Sequence, residues 1–411
     1  MIDREHREWR IDKWIHDLSE RQLQLIGLVV LVILSVIIRI HLAPFCQESP
    51  DYYTYYATWV EQYRHLGIVK GLSTTIGDYY VPINVIYAII SLFPWEPWVL
   101  IAAVSCLFEY ITVIFLYRII MFLSTGQRAK GELQIKAAYA AVAVLFLPCS
   151  MWNSALWKQC DSIYTCFAII ALYYLIQDRY RMAVIFLGIS LSFKLQAVIL
   201  IPVFGCVYLI KRRYSLLHFL WLPVVYLIAG FPAVILHRGL RATYLTYLGQ
   251  MQEGTSQSYG LNSYFPNLYA FGLDQYYHQL ALPAVLLAIA FLGSMLLLVY
   301  HYREQISADR IIYLAILSAW TCCVFLPGMH ERYDYVVLLL LTIYALTRDH
   351  KLIPAAILIN FCSMLTYTMV LFKGQTLPLM MIGLLYLLAY LYAGGRLIYM
   401  MRNQVQDERN L

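Results

Sequence analysis

The feature that most constrains this chain is a succession of apolar runs, each of the length that crosses a lipid bilayer. They recur from about residue 23 to residue 401, and no polar stretch between them is long enough to fold as a separate soluble domain. A hydrocarbon core about 30 Å thick takes ~20 helical residues to cross. Because lipid offers no hydrogen-bond partners and the alternating pattern of a membrane barrel is absent, we predict helical spans.

Composition agrees with an all-α membrane protein. Hydrophobic residues make up 61% of the chain and charged residues 13%, whereas soluble domains carry about 25% charged residues. The net charge of +6 is small for 411 residues, so nucleic acid is not an expected partner. Membrane lipids are expected partners because of the apolar composition. The nine Cys show no metal-ligand spacing and are predicted to be small buried residues.

About 12 transmembrane helices are predicted, within a range of about 11–13, in one polytopic domain from 23 to 411. The predicted spans are 23–44, 98–122, 134–151, 161–177, 182–193, 196–210, 215–236, 281–300, 308–327, 334–347, 351–371 and 377–397. Most of the Lys and Arg residues then fall on one side of the membrane. The positive-inside rule places that side, with both chain termini, in the cytoplasm.

Two segments near the N-terminus are predicted to lie along the membrane surface. Residues 1–22 combine basic side chains with apolar ones at helical spacing, which indicates a cytoplasmic amphipathic helix. The outer loop 45–97 is expected to contain interfacial helices rich in aromatic residues. Within it, 81–93 is too short for a full crossing and is predicted to be a juxtamembrane or half-inserted helix.

Ionisable residues outside the cytoplasmic segments gather at the outer face, where charge near the membrane is costly and indicates function. Asp51 follows the first span and opens an aromatic-rich stretch. Two compatible roles are predicted for it, an N-terminal helix cap and a general base. Asp78 precedes an apolar helix, where a turn-plus-cap role is as well supported as a contact with substrate.

Lys194 divides a long apolar run whose flanks are both basic. A tight outward hairpin with Lys194 at its tip explains this pattern. The lysine either extends to the membrane interface or binds a phosphate group, and the sequence supports both interpretations equally. Asp161, at the start of another span, is predicted to cap its helix.

The strongest single functional signal is His330-Glu331-Arg332, three consecutive ionisable residues that open a span at the outer face. Pairing of Glu331 with Arg332 lowers the cost of burial but does not explain why these residues are there. The His-Glu pair is not a metalloprotease motif, because no second His follows at helical spacing.

The largest outer loop, 237–280, contains Arg238, Arg241, many Tyr and a polar stretch around 250–263. Long loops in compact proteins are usually functional or mobile. A gate or substrate-binding loop is one interpretation of this segment, and a disordered linker is the other.

These motifs, in this order, resemble the GT-C superfamily of membrane glycosyltransferases. The likeness is closest to bacterial mannosyltransferase-like members and extends more distantly to the dolichyl-phosphate-glucose glucosyltransferases. It rests on SPDYYTYYATW (49–59), GDYYVP (77–82), NSALWKQCDSIYT (153–165), SFKLQA (192–197) and FLPGMHERY (325–333).

The resemblance implies a GT-C fold and an inverting glycosyltransferase of the bacterial plasma membrane, with its active site on the outer face. The donor it implies is a polyprenyl-phosphate sugar, and the acceptor is a glycan or a lipid-linked molecule. Asp51 matches the family's acid and is the expected base. The expected substrate-binding residues, whose cations would stabilise the leaving phosphate, are Asp78, Lys194, Arg238, Arg241, His330, Glu331 and Arg332.

The chain departs from the family pattern in three respects. Val81 replaces one proline of a Pro-Pro pair, and Lys158 stands where a Gly is commoner. No Asp-x-Asp pair follows the first span, so transfer independent of metal, without any cofactor, is expected.

Other functions compete with this one. A transporter or flippase for lipid-linked sugars would also gather charges in the membrane, but such proteins often have repeated halves, and no internal repeat is seen. A polysaccharide ligase or polymerase would place its key residues in one large outer loop, a part that 237–280 could play. A purely structural protein would not need these charges on one face.

Overall fold

The computed structural model describes residues 19–124, 130–211, 213–254, 260–374 and 376–409. The surface helix predicted at 1–22 lies mostly outside these residues. Its last part belongs instead to the first long helix, because Ser19 caps a helix that begins at Glu20. The Ser19 hydroxyl accepts from the Gln22 backbone N–H and the Gln22 side chain accepts from the Ser19 backbone N–H, a reciprocal cap that fixes the helix start.

Helices joined by short connections make up most of the described chain. In order they are α1 (Glu20–Leu42), α2 (Ala57–Ser73), α3 (Val81–Ile90), α4 (Pro97–Leu123), α5 (Lys130–Ala143), α6 (Pro148–Met151), α7 (Asp161–Ile176), α8 (Tyr180–Phe193), α9 (Ile201–Ile210), α10 (Trp221–Ile235), α11 (Leu240–Tyr244), α12 (Thr246–Gly254), α13 (Tyr277–His301), α14 (Ala308–Phe325), α15 (Tyr335–Thr347), α16 (Ile353–Leu371) and α17 (Leu379–Arg409). Single π-helical turns occur at Tyr52–Tyr56 and Trp152–Leu156. Two short strands, β1 (Asn262–Ser263) and β2 (Met329–His330), pair in parallel.

Seven helices of the described residues are long and apolar enough to cross a membrane. They are Glu20–Leu42, Pro97–Leu123, Leu216–Ile235, Asp274–His301, Ala308–Phe325, His350–Leu371 and Leu379–Arg402. An eighth crossing results if the pair Gly131–Phe146 and Pro148–Leu156, bent by 57°, forms one span. The chain is therefore a helical membrane protein, as predicted.

A helix occupies each segment that was predicted to span, with differences at the ends and one break. α13 begins at Tyr277 rather than 281, and α17 continues to Arg409, beyond 397. The segment predicted at 134–151 is interrupted because Leu147 is extended before Pro148, which cannot continue the preceding helix. Several of these helices are shorter than a full crossing, so the number of spans stays a prediction.

Burial separates a central group of helices from a peripheral group. In the most apolar window of α14, 83% of residues are buried inside the protein, against 11% in α1. α7 and α15 are likewise buried along nearly their whole length. Helices with exposed apolar faces are suited to lipid contact, so the long peripheral helices shield the short central ones.

A buried ion pair joins α1 to α4 within this framework. Arg39 Nε lies 2.6 Å from Glu109 Oε2, and both side chains are almost fully buried. The other oxygen of Glu109 accepts hydrogen bonds from Ser150, Ser154 and Tyr335. Every charge of the pair is thus compensated, which is the condition for burying ions without a large free-energy penalty.

Candidate functional site

Asp51 lies directly before the π-helical turn that leads into α2, and its side chain points away from that helix. Its Oδ2 atom accepts hydrogen bonds from Trp157 Nε1 at 2.9 Å and from Gln159 Nε2 at 2.5 Å. It makes no side-chain hydrogen bond to the helix that follows. The predicted capping role is therefore wrong, and the carboxylate is instead held by a loop about a hundred residues further along the chain.

That loop follows the second π-helical turn, and Lys158 shapes it. Lys158 has a φ of +66°, a left-handed conformation that glycine adopts without steric cost. The Lys158 ammonium donates to the carbonyls of Ala155 and Leu156, at 2.6 and 3.0 Å, so it caps the end of the turn. Burial lowers the pKa of Lys158 to about 8.

Asp161, at the start of α7, is a second carboxylate of the site and is fully buried. It accepts hydrogen bonds from Asn153 Nδ2 at 2.8 Å and from the Lys194 ammonium. The Lys194 ammonium bonds to Oδ1 of Asp161, and Arg332 Nε lies 3.5 Å from Oδ2, the oxygen that also accepts from Asn153. The predicted capping role of Asp161 is wrong, because no side-chain cap bond forms at this helix start. Nothing local in the sequence indicates its pairing with two distant bases.

Lys194 ends α8 in an extended conformation, and its side chain turns inward rather than toward the interface. The interpretation of a lysine that extends to the membrane surface is therefore wrong. Burial lowers the pKa of Lys194, but the carboxylate of Asp161 more than compensates and leaves that pKa above its usual value. Lys194 is thus a charged group that Asp161 holds in place.

Arg332 and Glu331 pair with each other, as predicted. Arg332 Nη1 lies 2.5 Å from Glu331 Oε1, and the guanidinium lies 5.0 Å over the Trp157 ring. Burial lowers the pKa of Arg332, but Glu331 and Asp161 raise it further, so it ends well above the usual range. Arg332 Nε is buried and, apart from its ion-pair contact with Asp161, has no hydrogen-bond partner in the described part of the chain. The cation therefore keeps unused donors next to the indole that binds Asp51.

His330 lies on strand β2 beside this cluster. Burial and the charges of Arg332 and Lys194 lower its pKa to about 3. At neutral pH the imidazole is uncharged, with one donor and one acceptor nitrogen, a combination suited to hydrogen bonds with hydroxyl groups.

We expect this shift to make the folded protein less stable in mild acid. His330 titrates near 6.5 when unfolded, so between pH 7 and pH 5 the unfolded chain binds a proton that the folded protein does not. Stability is therefore lost as the pH falls below 6.5, by the order of 1–2 kcal/mol at pH 5. A His330→Gln variant should lose less thermal stability than the parent over this range in detergent.

The control for that measurement is His65→Gln, because His65 is exposed on α2. Its melting temperature should follow the pH profile of the parent. An unchanged profile in His330→Gln would show that His330 is protonated normally in the folded state.

The large outer loop reaches the same site. Strand β1 pairs with β2, with Asn262 opposite Met329 and Ser263 opposite His330. The Glu331 backbone N–H also donates to the Ser263 carbonyl at 3.2 Å. Within the described part of the loop, β1 lies against the His-Glu-Arg segment, and helices α11 and α12 precede it. Residues 255–259 lie outside the described residues.

The remaining predicted residues lie at different distances from the cluster. Asp78 is exposed. Burial, and to a smaller extent the charge of Asp78, raises the pKa of Tyr79 and Tyr87, which are aromatic residues of the same outer loop as Asp51. It does not cap α3, whose first flanking residue is Tyr80 with no side-chain cap. Arg241 is exposed and takes no part in the cluster.

The loop that carries Asp78 depends on Gly77. Gly77 has a φ of +68°, and a Cβ atom there would lie 2.7 Å from the Trp59 ring. We expect Gly77→Ala to lower the melting temperature and to displace Trp59. Gly272→Ala is the matched control, since Gly272 has a φ of +74° but no atom within 4 Å of the added Cβ. The control should show only the backbone cost of about 1 kcal/mol, and equal losses would exclude the Trp59 contact as a constraint.

The structure thus brings together Asp51, Lys194, His330, Glu331 and Arg332, and adds Trp157, Gln159 and Asp161. No group of three His, Cys, Asp or Glu side chains placed to hold a metal ion occurs in the described part of the chain, and transfer without a metal stays a prediction. No family model matches the chain, and no curated protein is similar enough to count as a relative.

Proposed function

We propose that this protein is an inverting glycosyltransferase that moves a sugar from a polyprenyl-phosphate donor to an acceptor hydroxyl. One observation supports it above the others. A carboxylate held by only one of its oxygens, Asp51, lies beside a buried cluster in which Asp161 and Glu331 hold two cations. Such a site offers a base for the acceptor and positive charge for the phosphate that leaves.

Asp51 supplies the base. Both of its hydrogen bonds go to Oδ2, so the described residues leave Oδ1 able to accept the proton of an acceptor hydroxyl. The hydroxyl oxygen attacks the anomeric carbon, and the bond from that carbon to the phosphate oxygen breaks on the opposite face. The electron pair of that bond stays with the phosphate. Because the hydroxyl attacks on the face opposite the departing phosphate, the anomeric configuration is inverted. A positioned base typically contributes about 10²–10⁴-fold to the rate.

Arg332 and Lys194 supply positive charge for the leaving group. Arg332 uses only Nη1 in a hydrogen bond among the described residues, and its Nε faces Asp161, so Nη2 is available to phosphate oxygens. Because the two cations are fixed in advance by carboxylates in a buried site, they need little reorganisation as charge develops. The neutral His330 and the aromatic residues of the first outer loop are placed to orient the sugar.

The same proposal includes the GT-C fold, twelve spans and cytoplasmic termini. Twelve spans result if the seven long helices, the bent pair and four of the five shorter apolar helices cross the membrane. The fifth short helix, α3, then lies at the outer surface. α7 has 16 residues, which at about 1.5 Å per residue is shorter than the hydrocarbon core. The end of α7 at Asp161 then lies below the membrane surface, within a cleft. By the positive-inside rule, the face of the plasma membrane on which this cleft opens is the outer one.

Turnover by the purified, detergent-solubilised protein tests this function. A panel of polyprenyl-phosphate sugars, offered with candidate glycan and lipid-linked acceptors, should include at least one donor that is consumed with release of polyprenyl phosphate. The product should have the anomeric configuration opposite to that of the donor, as read by NMR. A product with retained configuration contradicts the mechanism, and lipid scrambling in vesicles without any transfer identifies a transporter instead.

A further inference from the structure

Arg238 is a buried base without a partner among the residues that the structure describes. It follows the end of α10, where His237 at a φ of +68° turns the chain and the Arg238 backbone N–H bonds to the Ala233 carbonyl. The residue is 4% exposed, and its Nε atom is buried without a hydrogen-bond partner. Its side chain forms neither an ion pair nor a hydrogen bond within the described residues.

The other buried bases of the described chain all have partners. Arg39 and Lys194 each bond to a carboxylate, and Lys158 bonds to two carbonyls. Burial lowers the pKa of Arg238, with only a weak compensating effect from Tyr63. Leaving a charge buried and uncompensated is costly, so an anion bound to Arg238 would be stabilising.

Tyr63, on α2, faces the same place. Its side chain is 1% exposed, and its hydroxyl is buried without a hydrogen-bond partner. Leu236, two residues before Arg238, packs against the apolar cluster that contains Tyr63, so the two side chains belong to the same buried region. This region therefore holds two unused polar groups that are both able to donate. A ligand rich in acceptor oxygens and negatively charged, such as a phosphate group, would satisfy both.

This position is separate from the reaction centre. Tyr63 and Tyr56 lie on the same buried side of the segment that begins at Asp51. From Asp51 to Tyr63 the helical chain rises roughly 18 Å at about 1.5 Å per residue. A leaving phosphate must lie within a few bonds of the carbon that the acceptor attacks. Because Leu236 packs in the region of Tyr63 rather than beside Asp51 in the chain, we place the Arg238 site apart from the reaction centre.

We propose that Arg238 and Tyr63 form a second anion site, which binds the phosphate of a lipid headgroup near the end of α10. Helix α10 belongs to an apolar, outward-facing span that ends at Ile235. Arg238 follows within one helical turn, at the level where lipid headgroups lie. The site anchors the first outer loop to this span through a lipid and does not depend on the transfer reaction.

Binding of phosphatidylglycerol to delipidated protein in detergent, followed by native mass spectrometry and melting temperature, tests the site without any sugar donor. Arg238→Gln should weaken binding about tenfold or more, and Tyr63→Phe several-fold. Without lipid, Tyr63→Phe should keep or raise the melting temperature, because it removes an unpaired buried hydroxyl. Loss of binding is then separable from loss of fold.

Lys70→Gln is the control for general attraction to an anionic lipid, because Lys70 is exposed on the same helix as Tyr63 and loses the same charge. It should bind phosphatidylglycerol like the parent. Inorganic phosphate is the second probe, and stabilisation by it that depends on Arg238 would assign the site to free phosphate. Equal binding in Arg238→Gln and Lys70→Gln, with no effect of either probe on stability, would overturn the proposal.

Discussion

An Asp51→Asn variant is expected to lose sugar transfer by about 10²–10⁴-fold while folding normally. Asparagine has the same shape, and its carbonyl oxygen can still accept the hydrogen bonds of Trp157 and Gln159. It cannot take a proton from the acceptor hydroxyl. The loss should therefore appear in the turnover number at saturating donor, with little change in donor affinity.

Glu48→Gln is the matched control, because Glu48 is an acid of the same outer loop whose only hydrogen bond among the described residues is made by its backbone N–H, to the Phe45 carbonyl. It removes the same charge and should keep turnover. If Asp51→Asn retained full turnover with an unchanged melting temperature, Asp51 could not be the base. His330 would then be the next residue to test.

Removing one member of the Arg39–Glu109 pair is expected to destabilise the protein by about 3–5 kcal/mol. Arg39→Met leaves the Glu109 carboxylate buried between α1 and α4, where only neutral hydroxyl groups then face it. The result should be a large drop in melting temperature and a loss of monodisperse protein on size exclusion. The exposed pair of Lys136 and Glu132 provides the control, since Lys136→Met should cost at most about 1 kcal/mol.

The double variant Arg39→Met with Glu109→Leu distinguishes an uncompensated charge from lost packing. Replacing both ions removes the buried charge, so the double variant should be more stable than Arg39→Met alone. Equal instability of the single and double variants would show that the pair matters through its shape rather than through its charge.

Helix positions followed from the sequence because each depends on a local property, the apolar character of consecutive residues. The structure has a helix in every segment that was predicted to span. The exceptions are at the ends, where Tyr277 and Arg409 extend helices into polar flanks. The break at Pro148 also follows local rules, but the apolar run around it concealed the interruption.

The site was only partly predictable, because its contacts join distant segments. Asp51 and Arg332 were identified one by one from unusual charge at one face. Trp157, Gln159 and Asp161 were not, since a polar residue at a helix start is adequately explained as a cap. What identifies them is their contact with residues from other parts of the chain, and no local pattern contains that information.

The pairing of β1 with β2 was missed for the same reason. Each strand has two residues, too few for any alternating pattern to appear. The interpretation of 237–280 as a substrate loop gains support from this contact, since the loop meets the strand that carries His330.

The spacing of the ion pairs along the chain has a consequence for membrane insertion during synthesis. Glu331 and Arg332 are neighbours, and Asp161 and Lys194 lie at the same end of the consecutive helices α7 and α8. Each of these charges can thus enter the bilayer with its counter-ion in the same or the next inserted segment. Arg39 also finds its counter-ion in the next spanning helix, α4, but Glu109 lies 70 residues further along the chain. We therefore expect the first helix to stay at the translocon until α4 emerges, and the two helices to enter the lipid together.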